Sequence, residues 1–113
     1  MKLVIAYIQP AALHKVKKAL ADVGVGRMSV ANAQGVGQQG GYTETYRGAD
    51  LEIVLRKKVR LEIAVNDDFV ERTRGAIIEG ARSGNFGDGV IFVVELAECY
   101  RIRTGESGSP AVG

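Results

Sequence analysis

The order in which apolar periodicity changes along this chain constrains its fold more than any other feature. Four short segments have the apolar runs or the strict alternation of β-strands, and two longer segments repeat apolar side chains at spacings of three and four. The predicted strands are residues 2–8, 28–34, 59–65 and 90–96, and the predicted helices begin at Pro10 and Asp68. The sequence therefore predicts the order βαββαβ, an α+β, ferredoxin-like fold.

Capping and turn residues mark the ends of both predicted helices. Gly24 and Gly26 follow the last apolar residue of the first helix, where glycine suits a C-cap and a turn. Asp68 and Glu71 have the D-x-x-E spacing of a capping box, and Gly84 is predicted to close the second helix. We therefore expect the Asp68 side chain to cap the second helix.

Length and composition predict one globular domain. The chain has 113 residues, so residues 1–113 are expected to share a single core. Hydrophobic residues make up 46% and charged residues 25%, with a net charge of +2, which argues against a disordered chain. No apolar run approaches the roughly 18 residues that span a bilayer, so the expected location is the cytoplasm.

Side chains suited to catalysis or metal binding are scarce. His14 is the single histidine and lies among lysines, and Cys99 is the single cysteine. These two residues cannot form an internal disulfide or a structural zinc site. Cys99 has no base in its motif, and no carboxylate pair lies in an apolar setting, so the chain is not expected to be an enzyme.

Two segments are left unexplained by the predicted fold. One is a connection over about residues 35–58, and the other is a C-terminal segment over about residues 97–113. A connection longer than about 12–15 residues in a compact domain is usually functional or disordered. The long loop is therefore a candidate for function.

The apolar strands also predict an assembly. The runs at residues 4–5 and 91–94 are apolar on both faces of their strands, which indicates burial on both sides. Two helices cover only one face of a four-stranded sheet. A second copy of the chain is the expected cover of the other face.

Three short motifs indicate an anion site. Residues 35–40 spell G-x-G-x-x-G, but no apolar helix follows them, so a dinucleotide-binding fold is not expected and loop flexibility is the simpler reading. Residues 85–89 are predicted to form a glycine turn whose backbone N–H groups bind an anion. The alternative interpretation is an ordinary turn. In an extended segment, the Arg101 and Arg103 side chains point the same way, which favours binding of phosphate oxygens. The alternative interpretation is a solvated, charged tail.

These residues together resemble the PII-type nitrogen-regulatory signal-transduction proteins. The resemblance covers about residues 1–108 and rests on four segments that occur in the family's order. They are the start of the long loop at 35–37, Tyr-Arg-Gly-Ala at 46–49, the Gly-Asp-Gly turn at 87–89, and Arg-Ile-Arg-Thr-Gly-Glu at 101–106.

The resemblance implies a homotrimer whose clefts between subunits bind ATP, ADP or AMP, with magnesium where ATP binds and no resident cofactor. It implies a long loop that docks onto a target transporter or enzyme. A small anion, either bicarbonate or 2-oxoglutarate, is the expected effector. Neither nucleic acid nor membrane insertion is expected.

The resemblance also assigns roles to single positions. Those expected around the phosphates are Gly35, Gly37, Gly87, Asp88, Gly89, Arg101 and Arg103. Those expected around the adenine and ribose are Tyr7, Ser29, Glu62 and Ala64. Gln39 matches a glutamine that helps to hold magnesium and 2-oxoglutarate, and Lys58 matches a lysine that pairs with that dicarboxylate.

The sequence departs from the family pattern at three sites. The nucleotide-binding positions Val90 and Gln38 stand where the family has a lysine and an arginine, and Leu51 replaces the loop tyrosine that many members have modified. With two cations lost near the outer phosphates, ADP or AMP is expected to bind at least as tightly as ATP, and magnesium-ATP with 2-oxoglutarate is expected to bind weakly. The chain thus resembles a divergent paralogue, with inorganic-carbon regulation as one setting. The alternative is a general nitrogen regulator that senses ATP, ADP and 2-oxoglutarate.

An RNA-recognition module is the alternative from a different class, because it shares the βαββαβ order. Such a module stacks bases on aromatic side chains of its central strands. The predicted strand over residues 59–65 contains no aromatic residue, which argues against it.

Overall fold

The computed structural model of the chain describes residues 1–36 and 55–113. It confirms the predicted βαββαβ order. The main elements are β1 (Lys2–Ile8), α1 (Leu13–Asp22), β2 (Ser29–Gly35), β3 (Arg56–Val65), α2 (Val70–Ala81) and β4 (Gly89–Glu95). A short C-terminal helix, α3 (Ser109–Val112), follows them. Single 3₁₀ turns at Pro10–Ala12 and Asp67–Phe69 lead into α1 and α2.

The four strands form one antiparallel sheet in the order β2-β3-β1-β4. Each central strand therefore lies between the two strands of the other β-α-β unit, as the split arrangement requires. The register pairs Tyr7 of β1 with Arg60 of β3 on one side and with Val90 of β4 on the other. Side chains alternate between the two faces, so these three residues share one face.

The other face of the sheet packs against α1 and α2 and forms the core. The core side chains from the sheet are apolar and alternate along β1 and β3. The fully buried ones include Val4, Ala6, Ile8, Leu61 and Ile63, with Val16, Leu20 and Ile77 from the helices. Gly80 lets the helices approach closely, because a Cβ there would lie 2.7 Å from the Cα atom of Val16.

The predicted capping box at the start of the second helix is wrong. The helix begins at Val70, two residues later than predicted, with Phe69 at its N-cap and no side-chain cap, so Asp68 and Glu71 do not form the reciprocal pair. The 3₁₀ turn makes the entry instead, through a hydrogen bond from the Phe69 amide to the Asn66 carbonyl of 2.9 Å. The local spacing of residues predicted the helix. It did not predict the 3₁₀ turn before the helix, because contacts with distant residues hold that turn.

Asp67, at the start of that turn, ties it to β1. Its carboxylate accepts hydrogen bonds from the N-terminal amine of Met1 at 2.7 Å and from Lys2 Nζ at 3.2 Å. The amine and then the lysine hold the pKa of Asp67 below its usual value.

The open face of the sheet, which no helix of the described chain covers, is apolar along β1 and β4. It carries Leu3, Ile5 and Tyr7 of β1 beside Val90, Phe92 and Val94 of β4, according to the strand register. Phe92 is 49% exposed. The expected uncovered apolar face is therefore present, and its cover by a second copy stays a prediction.

The chain continues past β4 into a C-terminal hairpin, which we define as residues 99–108. An isolated bridge pairs Tyr100 with Ser107, and the Gly108 amide donates to the Cys99 carbonyl at 2.9 Å. Of the helices in residues 1–36 and 55–113, none has the length and apolar content to cross a membrane.

Candidate functional site

The sheet has two ends with different functional residues. We call the end where β1 and β2 finish and β3 and β4 begin the loop end, and the opposite end the tail end. A cavity of about 680 Å³ lies at the loop end. Seven of the sequence-predicted site residues line it: Tyr7, Gly35, Lys58, Gly87, Asp88, Gly89 and Val90.

Asp88 shapes the turn that forms one wall of this cavity. Its carboxylate accepts hydrogen bonds from the Ser83 amide at 2.7 Å, from the Gly84 amide at 3.0 Å and from the Ser83 hydroxyl. The Ser83 hydroxyl, followed by its amide, holds the pKa of Asp88 below its usual value. Asp88 thus holds residues 83–88 in a closed turn, a role that sequence reasoning did not give it.

The carbonyl of Gly87 joins this turn to the sheet. It accepts hydrogen bonds from Gln9 Nε2 at 2.6 Å and from Lys58 Nζ at 2.8 Å. Sequence reasoning missed Gln9, because nothing in its local pattern shows a partner 78 residues away. The expected pairing of Lys58 with a dicarboxylate stays a prediction; in the structure its ammonium group holds the turn.

Two glycines of the turn adopt conformations that other residues rarely adopt. Gly87 has φ of 89° and Gly89 has φ of 124°. A Cβ on Gly89 would collide with the carbonyl oxygen of Tyr7. The turn therefore approaches β1 closely and presents backbone without side chains to the cavity, which suits an anion.

Aromatic and charged groups stand on the sheet side of the cavity. The rings of Tyr7 and Phe92 pack edge to face with centroids 6.4 Å apart. The Arg60 guanidinium lies 5.8 Å from the centre of the Tyr7 ring and 3.4 Å from the Glu62 carboxylate. Arg60 thus links two residues that were expected around the adenine and ribose, and sequence reasoning did not single it out.

The remaining predicted residues lie toward the tail end. Ser29 pairs with Glu62 across β2 and β3, and Ala64 lies two residues further along β3. Ala64 also borders a cavity of about 220 Å³ that Arg27 and the C-terminal Gly113 line. Ser29 and Ala64 are both exposed.

The two arginines of the C-terminal hairpin also belong to the tail end. Arg101 Nη2 donates to the Pro110 carbonyl at 3.0 Å, and its Nε lies 3.5 Å from the Glu106 carboxylate. The neighbouring Ser109 carbonyl accepts a hydrogen bond from Asn66, which directly follows β3. Arg103 is exposed in the turn of the hairpin.

The structure therefore does not bring the predicted phosphate-binding residues together in one chain. Gly35, Gly87 and Gly89 lie at the loop end, whereas the Arg101 side chain is held at the tail end. The seven residues of β2, from Ser29 to Gly35, separate these ends by about 20 Å at the usual rise of a β-strand. We call these two sets of predicted residues half-sites; within one copy of the chain they lie too far apart to contact the same phosphate group.

Some predicted positions lie outside the described residues. These are Gly37, Gln38 and Gln39 of the expected site and Leu51 of the expected modification position. Within residues 1–36 and 55–113, no group of three or more His, Cys, Asp or Glu side chains is placed to hold a metal ion.

The chain is similar to known proteins over almost its whole length. The family model described as nitrogen regulatory protein P-II matches residues 1–106. The nitrogen regulatory protein P-II of Bradyrhizobium diazoefficiens is 46% identical over 112 residues, which are 99% of this chain and 100% of that protein. Its counterpart from Azospirillum brasilense and the nitrogen regulatory protein P-II 1 of Escherichia coli K12 are each 45% identical with the same coverage.

Proposed function

The chain belongs to the P-II family of nitrogen regulatory proteins, and from this membership we propose that it is a cytoplasmic signal-transduction regulator that binds adenine nucleotides between copies of itself. The proposed assembly is a homotrimer. Each cleft takes the loop end of one chain and the tail end of the next. The proposed ligands are ATP, ADP and AMP, with magnesium accompanying ATP.

The separation of the two half-sites is the observation that carries this proposal. Gly87 and Gly89, whose backbone amides are the expected donors, line the cavity at one end of the sheet, and the Arg101 side chain is held at the other. A bound phosphate needs both sets of donors if the expected roles hold. A neighbouring chain that turns its tail end toward this loop end supplies the missing arginines.

Exposed apolar side chains support the same assembly. Phe92 on the open face is 49% exposed, and Ile102, between the two arginines, is fully exposed. Burying such side chains against another chain gains roughly 25 cal/mol for each Å² of apolar surface removed from water. Contact through Ile102 would also place Arg101 and Arg103 at the partner's cavity.

The regulated partner is proposed to contact the segment between β2 and β3, and no catalytic role is proposed. Nitrogen regulation is the setting suggested by the names of the relatives, with 2-oxoglutarate as the anion effector. Regulation of inorganic carbon, with bicarbonate as effector, is the alternative setting. The open face of β3 carries Arg60, Glu62 and Ala64 without an aromatic residue, so an RNA-recognition role is not proposed.

Calorimetric titration tests the proposal. The wild-type protein is titrated with ATP, ADP and AMP, each with and without magnesium, and then with 2-oxoglutarate or bicarbonate in the presence of the tightest nucleotide. We expect one nucleotide per chain and an effect of one anion on nucleotide affinity. Absence of binding by all three nucleotides would overturn the proposal.

The variant Arg103→Ala serves as the matched site variant, since Arg103 is exposed and its loss leaves the core intact. It is expected to weaken nucleotide binding without changing the mass measured by light scattering. Unchanged affinity in this variant would contradict the proposed phosphate-binding role of Arg103.

A further inference from the structure

Arg56 is a cation at the loop-end cavity that sequence reasoning did not assign to the site. It begins β3 three residues before the predicted start of that strand and lines the same cavity as Lys58 and Gly87. Arg56, Lys58 and Arg60 alternate along β3, so their side chains belong to the same face of the sheet. Lys57, between the first two, belongs to the opposite face.

The position of Arg56 along β3 places it at the outer limit of the cavity. Arg60 lies beside Tyr7, where the adenine and ribose are expected, and Lys58 donates to the Gly87 carbonyl, where the phosphates are expected. Arg56 comes next in this series, about 13 Å from Arg60 at the usual strand rise. A nucleotide that extends from Tyr7 past the glycine turn therefore directs its last phosphate toward Arg56.

The residue across from Arg56 on β2 leaves room for such a phosphate. The cross-strand partner of Arg56 is Gly35, which has no side chain. A Cβ at Gly35 would already lie 3.4 Å from Lys58 Cγ, so a larger residue there would narrow the cavity between Lys58 and Arg56. A guanidinium group presents a planar pair of donors that matches two phosphate oxygens.

We propose that Arg56 binds the outermost phosphate of the nucleotide and replaces the positive charge that Val90 does not provide. This inference rests on the proposed function, because it assumes that the cavity holds a nucleotide. It changes the expected preference of the wild-type chain: ATP binds more tightly than ADP, and AMP binds most weakly. Without Arg56, the residues Val90 and Gln38 would instead produce the preference for ADP or AMP that the sequence predicts.

The variant Arg56→Gln tests the inference, with Lys57→Gln as its control. Both changes remove one positive charge, and the two residues are adjacent on opposite faces of β3. In magnesium-free calorimetric titrations, Arg56→Gln is expected to weaken ATP binding by roughly tenfold or more, to weaken ADP binding less, and to leave AMP within about twofold of the wild type. Lys57→Gln is expected to leave all three affinities within about twofold.

The outcomes separate this inference from the proposed function. Absence of nucleotide binding by the wild type overturns both. Normal ATP binding by Arg56→Gln overturns the role of Arg56 and leaves the proposed function standing. Equal weakening of ATP and AMP, or equal weakening by Lys57→Gln, also overturns it, because neither result depends on the last phosphate. Light scattering and circular dichroism of both variants verify that the assembly and fold match those of the wild type.

Discussion

At the scale of single residues, the glycine turn before β4 depends most on Gly89. Its φ of 124° is unfavourable for other residues, and any Cβ there would meet the Tyr7 carbonyl. Gly84 provides a comparison within the same turn, because its φ is 86° and a Cβ there would meet nothing within 4 Å. Alanine substitutions at these two positions therefore separate the cost of backbone strain from the cost of a steric collision.

We expect Gly89→Ala to destabilise the protein by about 2–4 kcal/mol, because it combines backbone strain with a collision against β1. Gly84→Ala has the strain alone and is expected to cost about 1 kcal/mol. Urea unfolding of both variants at one protein concentration measures the difference. Equal losses of unfolding free energy in the two variants would mean that β1 moves away from the turn without a cost in stability.

Val90 tests the electrostatics of the cavity. It is 47% exposed at the cavity wall, so a longer side chain is tolerated there. Val90→Lys is expected to strengthen ATP binding roughly tenfold and AMP binding far less, because the ammonium group reaches the outer phosphates. Val90→Met adds similar length without charge and is the control in the same titrations. A gain that is equal for ATP and AMP, or that Val90→Met reproduces, would contradict this explanation.

At the scale of elements, the segment between α2 and β4 is held from three directions. Asp88 closes it on itself through Ser83 and Gly84, while Lys58 of β3 and Gln9 after β1 both donate to Gly87. The wall of the cavity is therefore formed by contacts between elements that are distant in sequence. The hydrogen bonds from Ser83 and Gly84 favour the ionised form of the Asp88 carboxylate.

The pKa of Asp88 gives this element a predicted pH dependence. Because the folded-state pKa lies below the ordinary value of 3.8, the carboxylate stabilises the turn above that value, and this stabilisation is lost as pH falls through the lowered pKa. We expect the amide chemical shifts of Ser83 and Gly84 to titrate with a midpoint below 3.8. Asp88→Asn should abolish that titration. A midpoint at or above 3.8 in the folded protein would show that Ser83 does not stabilise the ionised form.

The elements themselves could be predicted from sequence, whereas their contacts could not. Alternation and the three-to-four spacing report which side chains share a buried face, so β1 and the helices were predicted closely. The early start of β3 at Arg56 was missed because Arg56, Lys57 and Lys58 show no apolar alternation. The capping box failed because Asp68 has the right spacing but the chain enters α2 through a 3₁₀ turn.

The candidate site shows the same limit. The glycines of the turn and the paired arginines could be proposed as site residues because their chemistry is visible in short motifs. Gln9 and Ser83 act through partners that only the fold places beside them. The predicted phosphate-binding residues lie at opposite ends of the sheet because of the directions of the strands. A short motif does not reveal those directions.

At the scale of the whole molecule, the open face and the divided site have one explanation. The proposed assembly covers both the apolar face that carries Phe92 and the fully exposed Ile102, and it brings the two half-sites together. A homotrimer satisfies all of these requirements with a single repeated contact. The central claim is therefore that the functional site is shared between chains.

Light scattering tests the assembly directly. We expect the mass of three chains at micromolar concentration. Ile102→Asp is expected to weaken the assembly, since it puts a charge where an apolar contact is proposed. Lys57→Asp, which changes a charge on the other face of the sheet, is its control. A wild-type monomer under these conditions would contradict the proposed trimer.

Complementation between two inactive variants tests the shared site most directly. Val90→Glu places a negative charge in the loop-end cavity, and Arg101→Ala with Arg103→Ala removes the tail-end cations, so each variant alone should lose ATP binding. When the two are refolded together in equal amounts, each cleft combines the loop end of one chain with the tail end of the next. About one quarter of the clefts then have both halves intact, and the account predicts that this fraction of ATP binding returns, measured as calorimetric stoichiometry. A mixture that binds no more ATP than the separate variants would contradict a site shared between chains.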